Sequence, residues 1–284
     1  ELAQLSPDNP EFMGPLGPQE YLESNTFSQS TADVKPEFRT NVAAASIDPA
    51  SKKEVTAAGF LDDSSNFQAM INSKGLFAYN QSTNVDFTVT MRSNDGTGSG
   101  WVSRDYNDVR KFDPVEASTV AINKAVQSRN AKAIEPGRYT VILEPAAGSQ
   151  LIGNMLRSFN ARTADEGRSF MSKEGGGNKL GEKIVDERVQ LYSDPQNSEV
   201  PVATWNGEGM PLKKTDWIKD GKVANLAYDR YWAGQKGVEP NPFASNLIMG
   251  GGDASLDELI KSTRRGVLVT RLWYIRTVDP QTLL

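Results

Sequence analysis

The stretch YTVILEPAAGSQLIGNMLRSF, Tyr139 to Phe159, carries the reading of the fold and of the site. Val141, Ile142 and Leu143 form a short apolar run, which reads as a buried strand ending at Glu144-Pro145. Ala146 to Asn160 then reads as a helix entered directly from that strand. Backbone N–H groups at such a helix start point outward, so this is a common place for chemistry. Gly153, Asn154 and Ser158 lie on its small and polar face and are the first candidate site positions.

Before this stretch the sequence is largely β in texture from about Thr40. VTAAGFLDD, NFQAMINSKGLFAYNQS and NVDFTVTMRSND read as a run of strands with turns at NSKG and NQST. Val85, Phe87, Val89 and Met91 alternate with polar residues, as one buried and one wet face require. SNDGTGSG reads as a hairpin loop. Asp113-Pro114-Val115-Glu116 is a helix start, and the helix is expected to reach about Ala133 with Val115, Ile122 and Val126 on one stripe.

After the central stretch come a polar helical turn (TADEGRSFM), a glycine-rich KEGGGNKLGEK and a short strand in RVQLYSDP. Turn signals at WNGEG and KDGK separate further short strands. Ser255 and Glu258 make a capping box, with Gly266 expected to close that helix. VLVTRLWYIR is expected to be a long final strand, too apolar to remain an open edge, which predicts oligomerisation. No regular βαβ repetition appears, so the fold class is α+β. The expected division is a proline-rich connecting segment over 1–39, marked by Pro7, Pro10, Pro15 and Pro18, a β-rich portion over 40–114, and a curved-sheet portion with helices over 115–284.

Composition narrows the chemistry. The chain has 284 residues with 38% hydrophobic and 24% charged side chains, enough for a folded core. Its formal charge is −5 with basic residues scattered, so no nucleic-acid footprint is expected. No apolar run is long enough for a membrane span, and no export signal opens the chain. Opening on Glu1 and stopping soon after a strong strand, it is expected to be a piece of something longer. It contains no cysteine and no histidine. Thiolate chemistry, Ser–His–Asp triads and imidazole-based zinc sites are therefore excluded within these residues.

The remaining motifs are weaker. Gly176 and Gly181 have phosphate-loop spacing, but Glu182 stands where the lysine must be and would repel a phosphate. Acidic neighbours such as Asp105 with Asp108, Asp165 with Glu166, and Asp186 with Glu182 or Glu187 could serve acid–base hydrolysis or be solvated surface. Tyr228, Tyr231 and Trp232, with Trp273 and Tyr274, stand beside arginines. Such aromatics can line a groove for extended peptide, or pack as core with bonded hydroxyls.

EPGRYTVILEPAA, KLGEKIVDERVQLYSDP, DGKVANLAYDRYWAGQKG and GGGDASLDELIKSTRRGVLVTRLWYIR occur in the order and spacing of one family. From about Val55 onward the chain resembles the TldD/PmbA proteins, also described as modulators of DNA gyrase and as metallopeptidases. The resemblance implies a cytoplasmic peptidase system in which two homologous subunits form a barrel-like dimer around a chamber for unfolded peptide. It implies that the catalytic type carries His-Glu-x-x-x-His on the helix after the strand matching Tyr139 to Glu144. Two imidazoles there bind a divalent transition metal, zinc by expectation, with a further ligand near the C-terminal end. The matching positions here are Gly153, Asn154 and Ser158. The chain thus resembles the PmbA (TldE) type, without a metal of its own, paired with itself or with a histidine-bearing relative. Two other readings stand beside it: a carboxylate hydrolase using Glu144, Asp165, Glu166 or Glu174, and a non-catalytic peptide-binding scaffold.

Overall fold

The structure is a computed structural model and describes residues 5–283. Helices α1 (Gln29–Ala32) and α2 (Pro36–Ser51) precede two 17-residue strands, β1 (Val55–Ile71) and β2 (Phe77–Ser93). With β3 (Ser99–Tyr106) these make an antiparallel sheet in the order β1-β2-β3. The turn expected at Asn72 to Gly75 is present. The one expected at NQST is not, because β2 runs straight through it. Asn80 and Thr83 are there to bond other segments: Ser24 Oγ donates to Asn80 Oδ1 (2.6 Å), and Thr83 Oγ1 donates to the Asn107 carbonyl (2.7 Å).

Helix α2 was not legible in the sequence, which reads as β-rich from Thr40. It starts with Pro36 in its first turn and buries Val42, Ser46 and Ala50, four residues apart. Helix α3 (Pro114–Gln127) is capped as expected, the Asp113 carboxylate accepting from the Val115 and Glu116 amides. It stops at Gln127 instead of Ala133, and Val115 is exposed. Its buried stripe is instead Ala117, Ser118, Ala121, Ile122 and Ala125. The small residues are needed because α3 lies directly on β3. A Cβ added at Gly100 would stand 2.0 Å from the Ala121 carbonyl oxygen, and one at Gly98 2.1 Å from that of Ala125. Both helices flanking the expected boundaries near 39 and 114 thus pack on this sheet, around Val85, Phe87, Val89 and Met91.

The ribbon β1–β2 changes its buried face along its length. At its base the odd positions Val85, Phe87, Val89 and Met91 are buried; at its tip Ala78 and Asn80 are. The tip packs with Leu76, Trp205, Leu16 and Tyr21, drawing in the proline-rich segment and the later half of the chain. A two-stranded ribbon twists more per residue than a wide sheet, which lets one strand serve two cores on opposite faces.

The second half begins with β4 (Thr140–Leu143), α4 (Pro145–Leu156), a 3-10 turn (Arg157–Phe159) and α5 (Ala161–Asp165). Strands β5 (Leu191–Ser193), β6 (Thr215–Lys219) and β7 (Lys222–Val223) follow, then α6 (Arg230–Lys236), β8 (Ile248–Met249), α7 (Leu256–Ser262) and β9 (Gly266–Val269). Four strands form an antiparallel sheet in the order β7-β6-β5-β8. Its core joins Trp217, Ile218 and Leu191 to Phe159, Ala161 and Ala164 of the helical turn. The Trp217 indole donates to Ser193 Oγ (2.7 Å), which donates to the Asn246 carbonyl (2.7 Å).

β4 pairs in parallel with β9 as a sheet of two strands. The strand expected to be buried therefore leaves Val141 54% and Leu143 39% exposed. The long final strand is also absent. β9 ends at Val269, α7 ends before Gly266, and Trp273 and Tyr274 lie exposed in irregular chain. The capping box of Ser255 and Glu258 is formed. Among the described residues no sheet closes into a barrel, and the protein is a mixed helix-and-sheet fold.

Candidate functional site

Helix α4 leaves β4 directly. The Glu144 amide donates to the Val269 carbonyl (3.0 Å), tying the helix start to β9, and its carboxylate accepts from Lys124 Nζ (2.6 Å). The helix does not run on regularly to Asn160: after Leu156 it tightens into the 3-10 turn. Gly153 is exposed, with no atom within 4 Å of where a Cβ would stand, and Asn154 is half-buried. Ser158 is buried in the turn, and its carbonyl accepts from Ser169 Oγ (2.6 Å). A glycine, a carboxamide and a neutral hydroxyl are no replacement for two imidazoles at a transition metal. Among the described residues no group of three or more Asp or Glu side chains could hold a metal ion either. The residues present do not fit the metal that the family resemblance implies.

The far end of the turn is joined to the aromatic segment by backbone. The Ala161 amide donates to the Ala227 carbonyl (2.9 Å), and the Ala227 amide to the Phe159 carbonyl (2.8 Å). Tyr228 follows at once. Helix α6 is set by Asp229, whose carboxylate accepts from the Trp232 amide (2.7 Å), and is closed by Gly237 in the left-handed conformation (φ 66°). The structure therefore brings Tyr228, Tyr231 and Trp232 against α5. Tyr274 lies in the exposed C-terminal chain, stacked beneath Arg276, and no described contact joins it to the other three.

Between α5 and α6 lies a polar network that sequence reasoning missed. Asp165, its side chain 8% exposed, accepts from Asn178 Nδ2 (2.6 Å), Trp232 Nε1 (2.9 Å) and Lys236 Nζ (3.1 Å). Burial pushes its carboxyl up, but these donors outweigh burial and hold it below the ordinary value. Burial, followed by the Asp165 charge, pushes the Tyr228 hydroxyl up. Arg162 stacks on Tyr231 (5.8 Å to the ring centre) and Trp232 (5.4 Å), and Lys236 Nζ also lies over the Trp232 ring (5.1 Å). Arg162 Nε donates to Glu166 (3.0 Å), while the two terminal nitrogens of Arg162 hold both oxygens of Glu11 (2.8 and 2.9 Å). Only the four-residue spacing of Arg162 and Glu166 was visible locally. Asn178 and Glu11 come from distant segments with no periodic signal.

The carboxylates singled out as a hydrolytic alternative are not poised. Glu144 is held by Lys124. Hydrogen bonds from Arg168 and Arg162 hold Glu166 below its ordinary value, opposite to the direction a general acid near neutrality needs. Glu174 is exposed in the glycine loop, and Glu182 pairs with Lys173 (2.7 Å). Arg188 holds Asp186 far below the carboxylate range, and Arg110 does the same to Asp108. Asp105 alone moves the other way. Burial, then Asp86 directly opposite on β2, pushes it up.

No helix among the described residues is long and apolar enough to cross a membrane. Residues 26–129 match the PmbA/TldA metallopeptidase central domain, and residues 136–283 its C-terminal domain. A metalloprotease of Methanothermobacter thermautotrophicus is 27% identical over 233 residues, 75% of this chain and 50% of the relative. The chain thus spans about half the length of that curated relative. A Thermotoga maritima protein described as a candidate modulator of a DNA gyrase superposes with a TM-score of 0.84 at 21% identity, over 95% of this chain and 64% of that one. TldE from Thermococcus kodakarensis superposes with a TM-score of 0.81 at 21% identity, over 99% of this chain and 67% of that one. At those identities the superpositions speak to fold, whereas the two consecutive domain matches cover most of the sequence and decide the family: the chain belongs to the metallopeptidase-related TldD/PmbA family.

Proposed function

We propose that this chain is the metal-free type of subunit of a TldD/PmbA peptidase. It shapes a chamber for unfolded peptide and works as a homodimer or beside a histidine-bearing relative, in the cytoplasm. The observation that carries the reading is the site helix. It leaves β4 as the family's metal helix is expected to, yet Gly153, Asn154 and Ser158 offer no imidazole. The barrel-like enclosure belongs to the same proposal, and the open apolar faces of β4 and β9 are consistent with it. Tyr228, Tyr231 and Trp232 form the peptide-facing surface in this reading; Tyr274 joins them only if the C-terminal chain repositions in the assembly.

The test is elemental analysis of the untagged full-length protein, followed by mixing with a histidine-bearing relative. The expected result is far less than one metal per chain, a complex on gel filtration and a changed rate of peptide cleavage by the partner. Stoichiometric zinc or iron in the unmixed protein would overturn the reading, as would an unchanged rate with no complex.

A further inference from the structure

Residues 6–21 form an irregular strap, and its segment from Asn9 to Pro15 lies across α6 and α5. The way it is held is specific. The Arg162 fork takes both carboxylate oxygens of Glu11, while Arg230 donates to the backbone carbonyls of Met13 (3.1 Å) and Gly14 (2.8 Å). Gly14 has φ +68°, a conformation that places those two carbonyls toward one guanidinium and favours glycine. The Asn9 side chain accepts from the Glu11 amide (3.0 Å), fixing the turn that presents the carboxylate. Between Glu11 and Gly14 the apolar side chains point outward, Phe12 73% and Met13 48% exposed, while Leu16 and Tyr21 further along stay anchored in the core at the ribbon tip. A cleft of about 480 Å³, lined by strap residues with Glu208, Asp229, Arg230 and Tyr231, remains between strap and helix.

From this the geometry points to an exchangeable peptide site. The surface made by Arg162, Arg230, Tyr231 and Trp232 recognises a segment of the form Glu-x-x-Gly through one carboxylate and two backbone carbonyls. In this chain the site is filled by its own Glu11-Phe12-Met13-Gly14. Recognition does not read the two intervening side chains, so a peptide of another sequence with the same acidic and glycine positions fits equally. The bonds are charge-assisted but between partly exposed groups, Arg162 at 33% and Glu11 at 40%, which holds the strap without locking it. Tethered in cis, the strap competes at a local concentration on the order of millimolar. It therefore sets a threshold that an incoming acidic peptide must exceed. This inference rests on the peptide-handling reading above for the identity of the competitor, but its test needs neither metal nor partner.

The experiment measures binding of a fluorescent peptide, Asn-Pro-Glu-Phe-Met-Gly-Pro-Leu, to the whole chain by anisotropy, with deuterium exchange across residues 9–15. Glu11→Gln is expected to speed exchange of the strap and to tighten peptide binding about fivefold relative to the unaltered chain. In that background the peptide's own Glu→Gln version binds correspondingly more weakly. Arg162→Gln abolishes the difference between the two peptides, and Arg162→Lys, which keeps the charge without the fork, recovers part of it. Unchanged exchange in Glu11→Gln would show that the clamp does not hold the strap and would overturn the proposal. A released strap with no gain in peptide binding would overturn it equally, showing a structural tie and no site. Either failure would leave partner binding and partner cleavage, which test the subunit reading, untouched.

Discussion

Replacing Asp165 by alanine should be a costly truncation of a polar side chain near the candidate site. The carboxylate lies between α5 and α6 and accepts from three donors, with Asn178 at 2.6 Å and Trp232 at 2.9 Å both half-buried. A hydrogen bond to a charged acceptor contributes about 1.5–3 kcal/mol, so losing these two costs about 3 kcal/mol. Lys236, whose side chain is 42% exposed, regains water and adds at most about 0.5 kcal/mol. With a urea dependence of about 2 kcal/mol per molar, the unfolding midpoint of the core around Trp217 should fall by about 1.5 M. Trp217 and Trp232 fluorescence would report it. The pH dependence provides a second check. Because the folded carboxyl sits below its unfolded value, its contribution is complete above about pH 4 and is lost as pH falls through the lowered folded value. The gap between the two proteins should therefore be full at pH 7 and shrink near pH 3. A midpoint shift under about 0.3 M at pH 7, or one that grows on acidification, would refute the assignment of Asp165 as the acceptor that holds α6.

Two glycines should respond in opposite directions. Gly100→Ala drives a Cβ against the Ala121 carbonyl of α3 and should cost at least about 2 kcal/mol in thermal or chemical unfolding. Gly153→Ala meets open space within α4 and should stabilise by about 0.5 kcal/mol, so a loss there would mean that the helix is mis-set. Ser158→His places an imidazole at a buried turn and should lower stability by about 1–3 kcal/mol, visible as a lower melting temperature; no change would show that the turn has spare room. Ser255→Ala removes the capping box and should cost about 1 kcal/mol locally, read as faster amide exchange over residues 256–262 with the rest of the molecule unaffected.

Local chemistry was legible where one residue decides the outcome. Asp113 and Ser255 cap their helices, the Asn72–Gly75 turn forms, and the alternation from Val85 to Met91 faces the core as read. The misreadings share a cause: the decisive partner is distant in sequence. Asn80 and Thr83 look like turn residues until segments 24–28 and 107 are seen to bond them. The stripe on α3 is mostly alanine and serine because Gly98, just before β3, and Gly100 within it admit the helix so closely, which no periodicity of α3 reveals. Val141 and Val267 to Val269 read as buried because they are apolar, yet a parallel pair of strands without neighbours leaves them partly open. At the site, the residue types at 153, 154 and 158 were informative by what they lack. The Asp165 and Arg162 networks were hidden, since they are assembled from residues 11, 162 to 166, 178 and 228 to 236.

The change of buried face along β2 sets a rule for how this protein can vary. A strand whose base and tip serve different cores behaves like a keyed shaft, with the phase between the keys fixed by the number of residues separating Ala78 from Val85. One residue inserted or deleted at Gln81 or Ser82 turns every side chain on one side of the change to the opposite face. Either the base then presents Asp86 and Thr88 to α3, or the tip presents Phe77 and Tyr79 to Trp205. Lengthening by two residues, matched on β1, keeps both keys in phase. Related chains should therefore differ in ribbon length by even numbers, and the distance between the two cores should change in steps of about 7 Å, two strand residues at a time.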